Sequence, residues 1–240
     1  SARAQHRRNG LSEILPNLPL SRRALLARGG SSLLIAGAAL ALSGSPASAK
    51  KLKPAALTDQ DKADVARIEA YLNGITTMQA KFQQVSLSNQ EISFGMIYVR
   101  RPGFLRVQYD PPRQDILVAD SIAISYYDAE LNQLNQAPLN LSPLWFLLRD
   151  NVKLGGDVTV TSFQRGPNAF QIGLVQTDEP DAGTVTMVLG DKPLELQQWS
   201  IIDQKGNEIR VALYNAEFGL KLENSLFRTP EKKQKNRNGG

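Results

Sequence analysis

The chain of 240 residues contains no cysteine and only one histidine, His6. Without cysteine it can form no disulfide framework, no thiol nucleophile and no thiolate metal site. Most zinc sites use histidine nitrogen or cysteine sulfur, and residues 50–240 contain neither. We therefore expect a protein that functions without a metal ion or another cofactor.

Common catalytic motifs are also absent from residues 50–240, which lack a G-x-S-x-G elbow, a P-loop, a Rossmann glycine pattern and an S-x-x-K pair. Carboxylates remain as the candidate chemistry, because four aspartates lie near predicted turns: Asp110, Asp115, Asp120 and Asp128. Two of them could pair as in a glycosidase. Turn aspartates more often bind their own backbone, so the sequence favours a binding protein over an enzyme.

Excess positive charge is confined to the first part of the chain. Residues 1–49 contain six of the 28 basic residues and one of the 23 acidic residues, so residues 50–240 contain 22 of each sign. Aromatic residues make up only 7% of the chain and do not alternate with a basic stripe. The pattern typical of nucleic-acid binding is therefore missing.

The beginning of the chain has the three parts of an export signal. Basic residues 21–26 (SRRALL) precede an apolar run from Ser32 to Leu42, and Ala47-Ser48-Ala49 forms a small-x-small cleavage site before Lys50. A membrane anchor or a buried helix is the alternative, although the run is short for a bilayer span. We expect cleavage after Ala49 and a periplasmic protein.

The export route stays open at this point. The paired arginines resemble a twin-arginine signal, but Leu25 stands where an aromatic residue is usual, so the general secretory route is the alternative. Three regions follow from the pattern: a signal peptide over 1–49, one domain over 50–230, and a basic, polar tail over 231–240 that we expect to be disordered.

The predicted domain begins with one helix and continues with many short strands. Thr58 and Asp61 form a capping box, and Gly74 is a plausible helix end. Alternating apolar residues then predict strands that include 104–109, 115–119, 122–127, 157–163, 168–175, 183–189, 194–202, 207–215 and roughly 220–228, with a polar edge strand over 131–137. This spacing is typical of an antiparallel sheet or barrel.

The predicted core face of the hairpin formed by 78–87 and 92–100 contains Ile92, Phe94, Met96 and Tyr98. The next strands add the apolar residues Phe104, Val107, Leu117, Ile122, Ile124 and Tyr126. This arrangement predicts either an ordinary sheet core or the wall of an apolar site.

One apolar segment interrupts the strands. Ser142 and Pro143 predict the start of a short helix whose body, residues 144–148, is apolar on nearly every side. Such a helix is either central to the core or covers a hydrophobic space. The residues alone leave both interpretations open.

The order of four segments resembles the LolA family of periplasmic lipoprotein carriers. The segments are Tyr71–Ser86, Gly95–Pro112, Ile116–Leu139 and Ser142–Asn151, and Phe227-Arg228-Thr229-Pro230 is similar to the closing F-x-x-P of that family. The resemblance covers about residues 65–230. It departs at Asp120-Ser121, where the family usually has Asp-Gly, and near Ser125, where it usually has tryptophan.

The resemblance implies an α+β fold in which an unclosed antiparallel β-barrel and a helical lid enclose a hydrophobic cavity. It favours a lid over a core position for residues 144–148. The acyl-chain site that it implies comprises Phe94, Met96, Tyr98, Arg101, Phe104, Leu105, Val107, Leu117, Ile124, Tyr126, Leu144, Trp145, Leu147 and Leu148.

Arg101 has a specific role in this comparison. It matches the family's arginine in the R-P motif, which implies a link from the barrel mouth to the lid. A solvated arginine before a turn is the alternative interpretation.

The implied function is a monomeric chaperone, not an enzyme, for lipoproteins that are directed to the outer membrane. Its implied partners are an inner-membrane ATP-binding-cassette exporter and, where one exists, an outer-membrane acceptor, with no nucleic acid. The alternative is a lipid-sensing regulatory module of the envelope-stress response on the same fold, which binds an anti-sigma factor. A hydrolase of lipid or glycan is a third, less favoured interpretation.

Overall fold

The computed structural model describes residues 53–230. The predicted export signal and the predicted C-terminal tail lie outside these residues. The described chain begins with helix α1 (Asp59–Gly74), and the predicted capping box is present: the Asp61 backbone N–H donates to Thr58 Oγ1 at 3.2 Å, while Thr58 donates to the Asp61 carboxylate. The prediction of an opening helix that ends at Gly74 is confirmed.

Eleven strands follow the helix within the described residues. They are β1 (Thr77–Ser86), β2 (Glu91–Arg100), β3 (Phe104–Tyr109), β4 (Ile116–Asp120), β5 (Ala123–Asp128), β6 (Gln133–Pro138), β7 (Val158–Arg165), β8 (Ala169–Gln176), β9 (Gly183–Asp191), β10 (Leu194–Asp203) and β11 (Glu208–Phe218). All pairings are antiparallel.

The strands form one sheet in the order β6-β5-β4-β3-β2-β1-β11-β10-β9-β8-β7. Strands β6 and β7 are its two edges and do not pair with each other, so the barrel is unclosed, as predicted. The first and last strands of the sequence, β1 and β11, pair at the centre. This central pairing brings distant parts of the chain onto one continuous concave face.

One sequence prediction of local structure is wrong, and a second is confirmed as a short helix that begins two residues later than predicted. Residues 220–228 do not form a strand: they contain a 3₁₀ turn at Asn224–Phe227 that crosses the outer face of the sheet. The segment at 144–148 is a 3₁₀ helix, Trp145–Leu148, whose N-cap is Leu144. At four residues it is too short for an α-helix, and its buried side chains hold it more than its few backbone bonds do.

Helix α1 lies against the concave face of the sheet. Its buried residues Val65, Ile68 and Leu72 join a core cluster with inward-facing residues of the central and later strands. A second, smaller cluster lies under β4–β6 and includes Leu148 of the 3₁₀ helix. The space between these two clusters becomes the candidate site.

Gly95 allows β1, β2 and β3 to pack closely at the deep end of this space. A Cβ atom at Gly95 would overlap the Gln108 carbonyl oxygen and lie 2.8 Å from Phe82 Cε1. The Phe82 ring instead packs edge-on against the Tyr109 ring, with centroids 5.3 Å apart. Glycine is therefore required at this position for steric reasons.

Candidate functional site

An apolar cavity of about 130 Å³ lies between the concave face of the sheet, the end of α1 and the apolar segment over residues 142–149. We call residues 142–149 the lid segment. The cavity wall is largely hydrocarbon and comprises Leu72, Ile75, Met78, Phe82, Gln84, Ile97, Val99, Arg101, Leu105, Val107, Tyr109, Leu117, Ile124, Leu139, Ser142, Leu144, Leu147, Leu148, Leu196, Trp199, Ile201, Ile209 and Val211. Such a wall suits an apolar ligand and offers few polar groups for chemistry.

Eight residues of the predicted site line this cavity. They come from strands β3, β4 and β5, from the turn after β2 and from the lid segment: Arg101, Leu105, Val107, Leu117, Ile124, Leu144, Leu147 and Leu148. The β2–β3 register pairs Val99 with Leu105 and Ile97 with Val107, so these side chains point to the same side of the sheet.

The predicted face of β2 is wrong. Ser93, Gly95 and Ile97 point inward and are buried, whereas Phe94 points outward and is 54% exposed. Met96 and Tyr98 share the outward face with Phe94. Both faces of this strand contain apolar residues, and the small inward residues Ser93 and Gly95 leave room for Phe82 and Tyr109, so alternation alone indicated the wrong face.

Three other predicted residues also lie away from the cavity. Phe104 points outward, and its ring centroid lies 5.6 Å from that of Phe227. The Arg100 guanidinium lies 4.5 Å from the centroid of the Phe104 ring. Tyr126 is buried but donates its hydroxyl to Asp115. Trp145 packs against the cluster under β4–β6, with the Arg149 guanidinium 5.0 Å above its ring.

Sequence reasoning missed the wall that β1, β10 and β11 contribute. Phe82 was recognised as part of an alternating strand, but Trp199, Ile201 and Val211 were not assigned to a site. The alternation in 194–202 and 207–215 was the available signal. Only the pairing of β1 with β11 places these residues beside β2 and β3.

The lid segment is held mainly from its two ends. At its start the Ser142 N–H donates to the Leu139 carbonyl at 3.0 Å, and near its end the Gly103 N–H donates to the Leu148 carbonyl at 2.7 Å. Beyond the lid segment, the Asn73 side chain on α1 accepts a hydrogen bond from the Val152 N–H at 2.8 Å and donates one to the Val152 carbonyl at 2.9 Å. The helix thus anchors the chain that follows the lid.

Arg101 connects β2, α1 and the lid segment at the mouth of the cavity. Its Nε donates to the Ile75 carbonyl at 2.6 Å, its Nη2 to the Leu72 carbonyl, and its Nη1 to the Arg149 carbonyl at 3.4 Å. Helix α1 has no basic residue in its own last turn. Arg101 therefore supplies both the hydrogen bonds and the positive charge that the helix C-terminus favours.

The electrostatics of Arg101 agree with a partly buried latch. Burial lowers the pKa of the Arg101 guanidinium, and the nearby Asp150 carboxylate acts in the opposite direction. An arginine side chain stays protonated in either case. The charge is thus held at the boundary between the apolar cavity and solvent.

The opposite end of the cavity is polar and closed. There the Tyr109 hydroxyl donates to Gln84 Oε1 at 2.9 Å, and both residues are buried. Behind them the Arg113 guanidinium lies 4.1 Å from the Tyr109 ring centroid and donates to Asp115 at 2.8 Å. Burial raises the pKa of the Tyr109 hydroxyl, so it stays a neutral donor.

Three of the four turn aspartates accept hydrogen bonds from backbone N–H groups. Asp120 accepts from the Ala123 N–H at 3.0 Å, and Asp128 accepts from the Leu131 N–H at 2.8 Å. Asp115 accepts from the Ala129 N–H at 3.0 Å in addition to Arg113. These bonds match the alternative in which turn aspartates bind backbone groups. Among residues 53–230, no group of three or more acidic or histidine side chains could hold a metal ion.

The helices of the described part of the chain include none that is both long and apolar enough to cross a membrane.

Comparison with known proteins gives a consistent family. A family model described as outer membrane lipoprotein carrier protein LolA matches residues 73–230. The chain is similar to the outer-membrane lipoprotein carrier protein of Pseudomonas paraeruginosa, with 23% identity over 175 residues that cover 70% of this chain and 83% of the relative. The carrier protein of Azotobacter vinelandii is 26% identical over 186 residues, covering 71% and 86%.

A solved structure of a LolA superfamily protein from Nitrosomonas europaea is also similar. Its TM-score is 0.42 at 9% sequence identity, and the match covers 69% of this chain and 97% of that protein.

Proposed function

Because the chain belongs to the LolA family of outer membrane lipoprotein carrier proteins, we propose that it binds the acyl chains of lipoproteins in its cavity and carries them across the periplasm. In this role the chain acts by binding and release and not as an enzyme. It takes its cargo from an inner-membrane ATP-binding-cassette exporter, which supplies the energy, and delivers it to the outer membrane or to an acceptor there.

The observation on which this proposal rests is the continuous apolar wall between the sheet and the lid segment. Exposed acyl chains are costly in water, since burial of each CH₂ is worth about 0.8 kcal/mol. A water-soluble carrier must therefore cover them with hydrocarbon. Leucine, isoleucine, valine and aromatic side chains from both the sheet and the lid segment provide that cover.

The depth of the cavity suits one acyl chain. Along β1 its lining runs from Met78 to Gln84, a separation of six residues, or roughly 20 Å at the usual rise of a strand. One leaflet of a bilayer is about 15 Å of hydrocarbon. The distance between the mouth and the closed end therefore matches the length of an extended lipid chain.

The cavity is too small for cargo to enter without movement. Its volume of about 130 Å³ is below the roughly 300–1,000 Å³ of typical ligand pockets. The lid segment is the element best suited to move, because its 3₁₀ helix has few internal bonds while the sheet behind it is fully paired. Loading thus displaces the lid segment, and release lets it close.

Arg101 acts as the latch in this scheme. Its guanidinium joins the barrel mouth, α1 and the lid segment, so its bonds stabilise the closed, empty form. Cargo and closed lid compete for the same space. A carrier needs this competition, because an acceptor can remove cargo only when its affinity exceeds that of the carrier.

The experiment that tests the proposal is lipoprotein release from spheroplasts. Spheroplasts that contain the matching exporter are incubated with and without this protein, and lipoproteins in the supernatant are measured by immunoblot. We expect release as a soluble complex only when the protein is present. Failure to release acylated proteins, together with capture of an anti-sigma partner, would instead favour the regulatory alternative.

A matched pair of variants links the result to the cavity. Leu147→Glu places a carboxylate on the cavity wall, where an unpaired charge costs several kcal/mol, and should reduce release at least tenfold. Phe94→Glu makes the same chemical change on the exposed outer face and should leave release near that of the unchanged protein. Circular dichroism checks that both variants fold. Equal loss in both would argue against the cavity as the binding site.

A further inference from the structure

The two ends of the cavity differ in chemistry and in stiffness. At the mouth, the wall includes the lid segment and the single charged side chain of Arg101. At the other end, Gln84 on β1 and Tyr109 on β3 face each other across β2. Both belong to the central, fully paired part of the sheet, so this end cannot move as the lid segment can.

We propose that the Gln84–Tyr109 pair is a fixed polar floor that sets the longest acyl chain the cavity accommodates. This inference rests on the proposed function, because it assumes that acyl chains occupy the cavity. The floor makes the site selective for chain length as well as for hydrocarbon.

The floor resists displacement because the groups behind it are hydrogen-bonded and largely shielded from solvent. Tyr109 donates to Gln84 on one side and supports the Arg113 guanidinium on its ring face. Arg113 is fixed in turn by Asp115, at 2.8 Å, and by the Tyr126 hydroxyl, at 3.3 Å. Moving Tyr109 aside would break a bond between buried polar groups and expose a buried cation to hydrocarbon, and both changes are costly.

Once the terminal methyl group of an acyl chain reaches this floor, further carbons add no binding affinity. Each CH₂ added above the floor becomes buried against the aliphatic wall, and affinity rises by about fourfold per carbon. A chain that has reached Gln84 and Tyr109 must leave further carbons at the mouth, in water. Affinity should therefore rise with chain length and then stop rising.

The test measures affinity against chain length. Saturated 1-monoacylglycerols of about ten to about twenty carbons, each below its aggregation concentration, displace a fluorescent apolar reporter from the full chain. We expect about a fourfold gain per carbon up to a cut-off length and no gain beyond it. A steady gain through the longest probe would overturn the proposal.

Two floor variants should move the cut-off in opposite directions. Gln84→Ala removes most of the side chain and should lengthen the cut-off by about two carbons, the depth of the deleted atoms. Ile209→Phe adds volume at the same end of the cavity and should shorten it. Because Ile209→Phe leaves the Gln84–Tyr109 bond intact, it keeps the test valid if Gln84→Ala folds poorly by circular dichroism.

Val107→Ala is the matched control. Val107 lines the middle of the wall, so its truncation should change affinity for all probes that pass it and leave the cut-off where it was. A cut-off that stays fixed in both folded floor variants would show that Gln84 and Tyr109 do not limit length. If no probe bound at all, the proposed function itself would fail, which is a different outcome.

Discussion

Arg101 has a structural role at the end of α1 and, in the proposed function, a role as a latch. Three backbone carbonyls, those of Leu72, Ile75 and Arg149, accept its guanidinium N–H groups. Two of the three belong to the C-terminal end of α1, where unpaired carbonyls and the helix dipole favour a cation. The third belongs to the lid segment, so loss of this arginine should affect lid closure more than the sheet.

The first prediction concerns Arg101→Leu. The variant adds no charge to the cavity and leaves the apolar wall in place, so it should still load lipoproteins in the spheroplast assay. It weakens the closed form by removing charge-assisted bonds worth about 1.5–3 kcal/mol each, so cargo is held more tightly. We expect transfer to acceptor membranes, measured after isolation of the loaded complex, to fall at least tenfold.

Arg101→Lys serves as the control for this prediction. Lysine retains the positive charge but has no planar fork to reach three carbonyls, and it should transfer at an intermediate rate. Normal loading and normal transfer by Arg101→Leu would contradict the latch and leave Arg101 with only a structural role at the C-terminal end of α1.

Gly95 is the residue at which packing leaves no room for a side chain. Gly95→Ala forces its Cβ into the Gln108 carbonyl oxygen and the Phe82 ring, and overpacking of this kind costs about 1–3 kcal/mol. Gly74→Ala is the control, because nothing lies within 4 Å of a Cβ built there. In urea unfolding we expect a clear loss of stability for Gly95→Ala and none for Gly74→Ala; equal midpoints would contradict the packing argument.

At the scale of elements, helix α1 is held by hydrogen bonds at both of its ends. Its last turns hold the chain after the lid segment through Asn73 and Glu69, which accept the backbone N–H groups of Val152 and Leu154. Its first turns hold the end of β7, since Arg165 on that strand donates to Asp61 and Asp64. The helix is therefore a brace that joins the end of β7 to the chain that follows the lid segment.

The acidic residues of this brace predict a pH dependence. Burial acts to raise the pKa of Asp64, but hydrogen bonds from Arg165 and Arg67 outweigh it, so its pKa lies below the ordinary value. A depressed pKa stabilises the fold above the unfolded value of about 3.9, and that stabilisation disappears as the pH falls through the folded value.

Asp64→Asn tests this dependence. At pH 7 the variant should have a lower free energy of unfolding than the unchanged protein, because it loses its charge interaction with Arg165 and Arg67. As the pH falls through the folded pKa of Asp64, the two proteins should converge, since Asp64 is then protonated in both states. Urea unfolding across this range checks the result, and a difference that is independent of pH would exclude a charge effect.

At the scale of the whole molecule, one unclosed sheet supplies both the core and the cavity. Helix α1 fills one part of the concave face and the lid segment covers another. A fully closed barrel of eleven strands would have no side opening for a lid. Strands β6 and β7 stay unpaired with each other, and in the proposed scheme this opening allows the lid segment to move while the sheet keeps its hydrogen bonds.

The predicted export signal over residues 1–49 leads to a prediction about the mature form of the protein. The basic, apolar and small-residue parts of residues 1–49 predict cleavage between Ala49 and Lys50. Mass spectrometry of the protein recovered from the periplasm should show Lys50 as the first residue. Recovery of an intact N-terminus from that compartment would contradict the cleavage, and association with the inner membrane would favour the anchor alternative.

The sequence alone determined the elements and their order. Helix α1 followed from its capping box and apolar spacing, and most strands followed from alternation and turn residues, because these signals are local in the chain. The polar edge strand was also recognised. Only the C-terminal segment was misread, since its apolar residues face an outer surface of the sheet that local alternation does not reveal.

Tertiary structure alone decided which face of each strand lines the cavity. In β2 both faces contain apolar residues, and the inward set was chosen by pairing with β1 and β3, which places Phe82 and Tyr109 over Gly95. The β1–β11 pairing likewise brought Trp199 and Val211 to the wall. Successive side chains of a strand point to opposite faces of the sheet. Pairing with strands that are distant in the sequence therefore decides which alternate residues of an apolar strand line the cavity.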